Sequence, residues 1–177
     1  MNFSSKIFSF SAAILTMLLN GCSSSRSTAH IPAVENFELP RYMGVWYEVA
    51  RLPHSFERDC IKTQAEYILL PDGRVRVINR GERNGKSSSA VGIARPADQS
   101  GRGELEVSFF RPFYGKYRII YLDKDYQLAI VTSSTMDYLW ILARRRQLFP
   151  EQRELCMKLL KEWNFDIPLL QYPNNQP

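Results

Sequence analysis

The chain has 177 residues, of which 45% are hydrophobic, 12% aromatic and 23% charged, a composition that predicts one folded domain and excludes disordered and fibrous proteins. Its 23 basic and 18 acidic residues leave a net charge of +5, and since the basic residues are spread along the chain, no nucleic-acid-binding groove is indicated. The two histidines, His30 and His54, are too few for most His-based metal sites or a Ser-His-Asp hydrolase, so we expect neither metal nor cofactor.

The N-terminal residues have the pattern of a secretory signal. Lys6 precedes the apolar stretch 7–19, which is too short to span a bilayer as a stable helix. The sequence Leu19-Asn20-Gly21-Cys22 resembles the bacterial lipobox, which implies cleavage after residue 21 and acylation of Cys22. Ser23 replaces the Asp that resembles an inner-membrane retention signal, so we expect the periplasmic face of the outer membrane. The alternative is a soluble secreted protein cut near this point.

Residues 22–35 form a Ser-rich segment without apolar periodicity. This composition predicts a flexible tether between the acylated end and a folded domain over residues 36–177. His30 lies in this segment, so we expect its side chain to be solvated.

From Gly44 onward, eight short apolar stretches are separated by turn residues, which favours an antiparallel meander. Turn sequences at 71–73, 84–85 and 123–125 connect predicted strands at 63–70, 74–80, 87–94, 117–122 and 127–133. Alternation over 104–109 places Leu105, Val107 and Phe109 on one face. Eight strands can close into a barrel with room for one small ligand, or form a two-sheet sandwich with a filled interior.

The strands are followed by one predicted amphipathic helix. Pro150 suits the first turn of a helix, and the apolar stripe that follows should pack on the outside of the sheet. The stripe consists of Cys156, Leu159, Leu160 and Trp163.

Three short motifs carry a family resemblance. Gly44-Val45-Trp46-Tyr47 resembles the G-x-W-Y motif of the lipocalins, and Asp137-Tyr138 and Arg144 resemble the second and third motifs of that family. The stretches 41–51, 107–115 and 137–142 are similar to the bacterial outer-membrane lipocalin lipoproteins, a group close to apolipoprotein D. The resemblance covers residues 35–170 and implies an all-β fold, an eight-stranded antiparallel up-and-down barrel with one C-terminal α-helix packed outside.

The motif residues have structural roles in this interpretation. Gly44 would allow close passage of the chain under the barrel floor, and Trp46 would plug that floor. Arg144 could place its guanidinium over the indole face, a cation–π contact of about 0.5–2 kcal/mol. Tyr47 and Asp137 belong to the same structural set.

The resemblance also implies a ligand cavity inside the barrel, called the calyx. The family pattern, carried over by strand alternation, gives the following candidates for ligand contact: Ala65, Tyr67, Val75, Val77, Asn79, Leu105, Val107, Phe109, Tyr117, Ile119, Val131, Tyr138 and Trp140. The alternative for each of them is interior packing below the cavity. Phe56, Phe113 and Tyr114 lie in predicted loops, and we expect them at the entrance.

The implied function is the binding or transport of hydrophobic ligands by an outer-membrane lipoprotein, for membrane maintenance under stress. An apolar and aromatic lining suits acyl chains, so the expected partners are fatty acids or (lyso)phospholipids and the membrane itself, with a homodimer also compatible. One rival interpretation is a structural or interaction lipoprotein with a filled barrel. A lipid-modifying enzyme is the other rival.

Two cysteines remain when Cys22 is acylated. Cys60 and Cys156 can form a disulfide in an oxidising compartment, or Cys156 can be a free thiol on the apolar stripe.

One group of potentially catalytic residues lies close together in sequence: His54, Glu57, Asp59 and Cys60. No motif supplies an oxyanion hole, and a solvated loop would lower the pKa of the Cys60 thiol little. We therefore expect no enzymatic activity.

Overall fold

The computed structural model describes residues 25–54 and 59–174, so the predicted signal, Cys22, Phe56 and Glu57 lie outside the described residues. A short helix, α1 (Leu39–Tyr42), precedes the strands, and α2 (Pro150–Glu162) and a 3₁₀ turn (Ile167–Leu169) follow them. The strands are β1 (Gly44–Arg51), β2 (Cys60–Leu69), β3 (Val75–Arg83), β4 (Lys86–Pro96), β5 (Glu104–Phe110), β6 (Phe113–Leu122), β7 (Leu128–Thr132) and β8 (Leu139–Ala143).

The eight strands form one closed barrel. Each strand pairs antiparallel with the next, and β8 pairs with β1, so the order around the barrel follows the chain. This arrangement confirms the predicted up-and-down barrel and excludes the two-sheet sandwich. Closure pairs the edge strands with each other, which removes the unpaired backbone groups of an open sheet.

The strand directions define two ends of the barrel. The end that carries α1 and the turns β2–β3 and β6–β7 is called the closed end here. The other end carries the turns β3–β4, β5–β6 and β7–β8 and is called the open end.

The apolar core has two layers, one on each side of the barrel wall. The inner cluster is contributed by α1 and the inward faces of the strands: Tyr42, Trp46, Tyr67, Val75, Val77, Ala94, Ile119, Tyr126, Ala129, Val131 and Leu142. The outer cluster joins the opposite strand faces, such as Ile130 and Ile141, to Cys156 and Leu160 of α2. The predicted helix is therefore confirmed on the outside of the barrel, where it covers apolar surface.

The segment expected to be a tether is packed against the barrel over residues 27–34. Thr28, Ile31 and Ala33 are buried, and Val34 donates its backbone N–H to the carbonyl of Ile119 at 2.9 Å. The hydrophobic residues of this segment show no regular spacing, because the segment is neither helix nor strand and only single, separated side chains are buried against the barrel wall. The tether prediction is wrong for these residues, although the side chain of His30 is exposed as expected.

The suggested disulfide between Cys60 and Cys156 is absent, and both thiols are buried. Cys156 packs in the outer cluster beneath α2, where burial raises the pKa of its thiol to about 12. Cys60 lies at the start of β2, and a Cβ added to Gly81 would come within 2.6 Å of its sulfur. Cys156 thus occupies an apolar packing position, which is an ordinary role for a buried cysteine.

Candidate ligand-binding calyx

The closed end of the barrel is sealed by Trp46 and Arg144. The indole of Trp46 is fully buried and donates its Nε1–H to the carbonyl of Tyr42 at 2.8 Å. The guanidinium carbon of Arg144 lies 4.0 Å from the Trp46 ring centroid, in the arrangement that the sequence predicted. Gly44 passes directly beneath with a φ of +94°, and a Cβ there would lie 3.4 Å from Arg144 Nη1.

Arg144 also binds the backbone of the chain segment that crosses the floor. Its Nη1 donates to the carbonyl of Val45 at 2.8 Å and its Nη2 to that of Met43 at 2.8 Å. Five donors in a rigid fork can bind several carbonyls at once, so one side chain holds α1 across the barrel end. The other two motif residues lie away from the interior: Arg146 covers the ring of Tyr47, and Asp137 is exposed and accepts a hydrogen bond from Thr135 Oγ1 at 3.1 Å.

Most of the predicted ligand-contact residues face the barrel interior. Those that belong to the inner cluster or pack against it are Ala65, Tyr67, Val75, Val77, Val107, Tyr117, Ile119, Val131 and Trp140. Val75, Ile119 and Val131 are fully buried, whereas Ala65, Val107 and Trp140 are only half-buried. The interior is thus packed at some positions and accessible at others.

The remaining four predicted contacts lie at the edges of this lining. Asn79 is opposite Ala65, and Leu105 is opposite Tyr117, so both share the inward face by register. Tyr138 stacks on Trp140 with ring centroids 6.0 Å apart, at the start of β8. Phe109 is 45% exposed, and its ring lies over Gly92 on the inward face of β4, beside the register shift between Val107 and Phe110.

Three tyrosine hydroxyls form a polar cluster inside the otherwise apolar barrel. The Tyr117 oxygen lies 2.8 Å from that of Tyr42 and 2.9 Å from that of Tyr67. Burial is the main cause that raises the pKa of Tyr42 and of Tyr117 above the usual tyrosine range, so these hydroxyls stay protonated. The cluster therefore places neutral, polar hydroxyl groups within an otherwise apolar interior.

The sequence interpretation missed two small residues on the inward face of β4. Gly92 is opposite Val77 and Ala94 is opposite Val75, so both share the inward face of β4. A Cβ on Gly92 would lie 2.9 Å from the ring of Phe109, which shows how closely that ring covers the strand. The alternation of Ala90, Gly92 and Ala94 was a usable signal, but small residues carry little hydrophobic contrast.

A buried ion pair in the wall was also missed. Glu48 is opposite Leu142 and Arg51 is opposite Trp140, which places both charged residues on the inward face. Glu48 is 6% exposed and Arg51 is 3% exposed, and Arg51 Nη1 donates to Glu48 Oε1 at 2.7 Å. The register shift between Glu48 and Ala50 puts residues three apart on the same face, which simple alternation cannot predict.

The same ion pair closes a gap between β1 and β2. The paired residues of these strands end at Tyr47 and Gln64, and beyond them the C-terminal segment pairs with the backbone of Arg51 through Gln171. Arg51 Nη2 donates to the carbonyl of Cys60 at 2.9 Å, and Asn174 Nδ2 donates to the carbonyl of Glu48 at 2.6 Å. The wall is therefore completed by a segment that follows α2.

The open end is lined by aromatic side chains. Phe113 is 73% exposed, and Tyr114 is exposed with the guanidinium carbon of Arg95 4.6 Å from its ring centroid. On the other side of the opening, the ring of His54 lies 5.1 Å from Trp140 and 5.9 Å from Tyr138. Phe113 and Tyr114 thus begin β6 at the open end, with Tyr114 on the outer face beside Arg95, while Phe56 is outside the described residues.

A second apolar surface lies outside the barrel along α2. It is a groove of about 830 Å³ that is bordered by Leu148, Met157 and Ile167 and is open to solvent. A groove of this shape would leave much of an acyl chain in water, whereas an enclosed cavity would surround it. Within residues 25–54 and 59–174, no helix is long and apolar enough to cross a membrane, and no group of three or more His, Cys, Asp or Glu side chains could hold a metal.

Comparison with known proteins gives a consistent family. Residues 37–175 match the family model described as a lipocalin-like domain. The chain is 39% identical over 158 residues to the outer membrane lipoprotein Blc of Escherichia coli K12, an alignment that covers 88% of this chain and 89% of that protein. It is 36% identical to temperature-induced lipocalin-1 of Arabidopsis thaliana, with 77% of this chain and 78% of that protein covered.

A solved structure shows the same fold at lower identity. Insecticyanin from the tobacco hornworm Manduca sexta superposes with a TM-score of 0.69 and 20% sequence identity, over 81% of this chain and 83% of that one.

Proposed function

The chain belongs to the lipocalin family, and on that premise we propose that it is an outer-membrane lipoprotein that binds fatty acids or (lyso)phospholipids in its calyx. The family binds hydrophobic ligands, which agrees with the apolar inner cluster. The proposal includes acylation at Cys22 and an orientation toward the periplasm. It is supported by the name of the E. coli relative and by the lipobox-like sequence.

The observation that carries the proposal is an apolar interior that is closed at one end and accessible in part. Trp46 and Arg144 close the floor, while Val107 and Trp140 are half-buried on the inward face. An acyl chain that entered would exchange water for aliphatic and aromatic contacts, with about 25 cal/mol gained per Å² of apolar surface buried. No directed chemistry is needed, which favours a binding protein over an enzyme.

The tyrosine cluster limits which lipids fit deepest in the calyx. Tyr42 and Tyr117 stay neutral, so the cluster offers a ligand polar but uncharged groups. The two cations that border the interior are already bound, Arg144 at the floor to backbone carbonyls and Arg51 to Glu48. We therefore propose that the hydrocarbon chain points inward and that a charged headgroup stays at the open end, because a buried charge without a partner is costly.

The calyx is tested by filling it. Val107→Trp should weaken the binding of a fluorescent fatty acid by tenfold or more, while it lowers the free energy of unfolding by less than about 1–3 kcal/mol, the usual cost of overpacking a solid core. The matched control is Lys116→Trp, at an exposed position on the neighbouring strand β6. It should leave fatty-acid binding unchanged.

Intrinsic tryptophan fluorescence provides a second measurement of ligand binding, with its own control. The fluorescence of Trp140 should change when a fatty acid binds, and this change should vanish in Trp140→Phe. The comparison separates the Trp140 signal from the fluorescence of Trp46 and Trp163. Organic extraction of the purified protein followed by mass spectrometry would identify any lipid already bound. Unfolding of Val107→Trp, or unchanged binding by it, would contradict a hollow calyx and favour a structural lipoprotein with a filled barrel.

Anchoring is tested at the predicted lipidation site. Cys22→Ala should abolish metabolic labelling with palmitate and leave uncleaved precursor, because acylation of this cysteine precedes cleavage in the lipoprotein interpretation. Ser23→Ala, one residue further on, is the control and should retain labelling. If Cys22→Ala is still labelled and still fractionates with the outer membrane, the anchor lies elsewhere.

A further inference from the structure

The N-terminal segment enters the fold at the open end of the barrel. The carbonyl of Arg26 accepts the backbone N–H of Met136 at 2.9 Å, and Ser27 forms an antiparallel bridge with Thr135. Thr28 is buried, and its Oγ1 donates to the carbonyl of Ser133 at 2.6 Å. These partners belong to the connection between β7 and β8, so the attachment lies beside the mouth of the calyx.

Arg118 of β6 fixes the same segment from below. Its Nη1 donates to the carbonyl of Thr28 and its Nη2 to that of Ile31, both at 2.8 Å, while its Nε donates to Glu104 Oε1 at 3.0 Å. Arg118 is half-buried, and hydrogen bonds from a charged donor are among the stronger ones in proteins. The segment is therefore held at several points and does not act as a free linker.

The chain length between this attachment and Cys22 is short. Four residues lead from Arg26 to Cys22, and a fully extended chain spans at most about 3.6 Å per residue, or about 14 Å in total. On the proposed acylation, the acyl chains of Cys22 are buried in the bilayer, so Cys22 lies at its surface. The mouth of the calyx must then lie close to the lipid headgroups.

The open end carries the apolar side chains that such a position would favour. Phe110 is 79% exposed and Phe113 is 73% exposed, and they face each other across the turn between β5 and β6. Aromatic side chains exposed in a turn are costly in water, and they are common where a protein meets the membrane interface. Arg111 is exposed between them.

The charges at this end are complementary to an anionic lipid surface. Among the described residues of the open end, the exposed basic side chains are Arg26, Lys62, Arg83, Lys86, Arg111 and, beside Arg26, Lys161. The exposed acidic ones are Asp59, Asp137 and, beside Arg26, Asp166, while Glu82 is paired with Lys62. Basic residues close to anionic headgroups strengthen binding to the membrane surface.

We propose that the open end of the barrel rests on the lipid bilayer, with the β5–β6 turn at Phe110–Phe113 inserted into the headgroup region. The inference rests on the proposed anchoring at Cys22 and extends it from attachment to orientation. A lipid would then pass between the bilayer and the calyx without crossing bulk water, because the mouth and the membrane surface are in contact.

The orientation is tested with acylated full-length protein in vesicles of phosphatidylethanolamine and phosphatidylglycerol. Phe110→Trp should show a blue-shifted emission and should be quenched by lipids brominated near the headgroup end of the acyl chain. Leu69→Trp is the matched control, since Leu69 is 41% exposed at the closed end of the barrel. It should show neither change, and each signal is read against the unmodified protein.

The consequence for lipid exchange is tested with Phe110→Ser. Loss of one aromatic side chain from the interface should slow the loading of a fluorescent fatty acid from these vesicles by about tenfold. The affinity measured for the same fatty acid added from solution should not change, and Leu69→Ser should alter neither quantity.

The outcomes separate the two proposals. If the unmodified protein binds no fatty acid from solution, the proposed function fails. If it binds fatty acid but Phe110→Trp is not quenched, or is quenched no more than Leu69→Trp, the orientation is wrong and the calyx proposal stands. An unchanged loading rate in Phe110→Ser would also overturn the role of the β5–β6 turn.

Discussion

Trp46→Ala should lower the free energy of unfolding by about 3–5 kcal/mol, the usual cost of truncating a large buried aromatic side chain. Trp46 is fully buried, and its ring centroid lies 4.7 Å from that of Tyr42. The guanidinium carbon of Arg144 lies 4.0 Å from the same Trp46 ring centroid. Truncation would remove the apolar plug, the cation–π contact and the hydrogen bond to the Tyr42 carbonyl together. Urea unfolding followed by circular dichroism would measure the loss.

Trp140→Ala is the matched control for this prediction. Trp140 is also inward, on the neighbouring strand β8, but it is half-buried near the open end. Its truncation should cost less stability than that of Trp46 and should weaken fatty-acid binding more. A Trp46→Ala protein with normal stability that had lost only lipid affinity would contradict the structural role assigned to the floor.

Arg51→Met should also lower the free energy of unfolding by about 3–5 kcal/mol, the range for removal of one partner of a buried ion pair. The substitution retains much of the side-chain volume and removes the donors to Glu48 Oε1 and to the Cys60 carbonyl. The buried carboxylate of Glu48 would then lose its contact at 2.7 Å. The hydrogen bonds that connect β1 to β2 across the gap would be lost with it.

Arg80→Met is the control for Arg51→Met. Arg80 on β3 pairs with Glu66 at the same distance of 2.7 Å, but 43% and 30% of the two side chains are exposed. An exposed ion pair contributes about 1 kcal/mol or less and is screened by salt. Equal losses for Arg51→Met and Arg80→Met in urea unfolding would show that burial of the first pair has no energetic consequence.

Local pattern was sufficient to predict the strands and the outer helix. Leu105 and Val107 alternate with polar residues, and Cys156 and Leu160 recur with helical spacing, because neighbouring positions in regular structure have fixed directions. The floor was also predictable from the resemblance, since Gly44, Trp46 and Arg144 form a motif whose members contact one another. In a motif of this kind, the residue types themselves indicate which side chains are in contact in the folded protein.

Positions next to a register shift were not predictable in this way. The shift after Glu48 places both Glu48 and Arg51 on the inward face. An extra residue in one strand reverses the direction of every side chain beyond it, and no local signal marks where that happens. The buried ion pair follows from this shift.

The sequence by itself determined which segments become strands and helix and which faces are apolar, since these properties depend on short-range periodicity, and the family resemblance indicated which residues close the floor. Only the tertiary structure decided that the barrel closes, that three tyrosine hydroxyls meet inside it and that Arg118 binds the segment before β1. Tyr42, Tyr67 and Tyr117 are far apart in the chain, and their contact requires the strands and α1 to be in place. Long-range contacts of this kind arise from closure and register, which are properties of the assembled sheet.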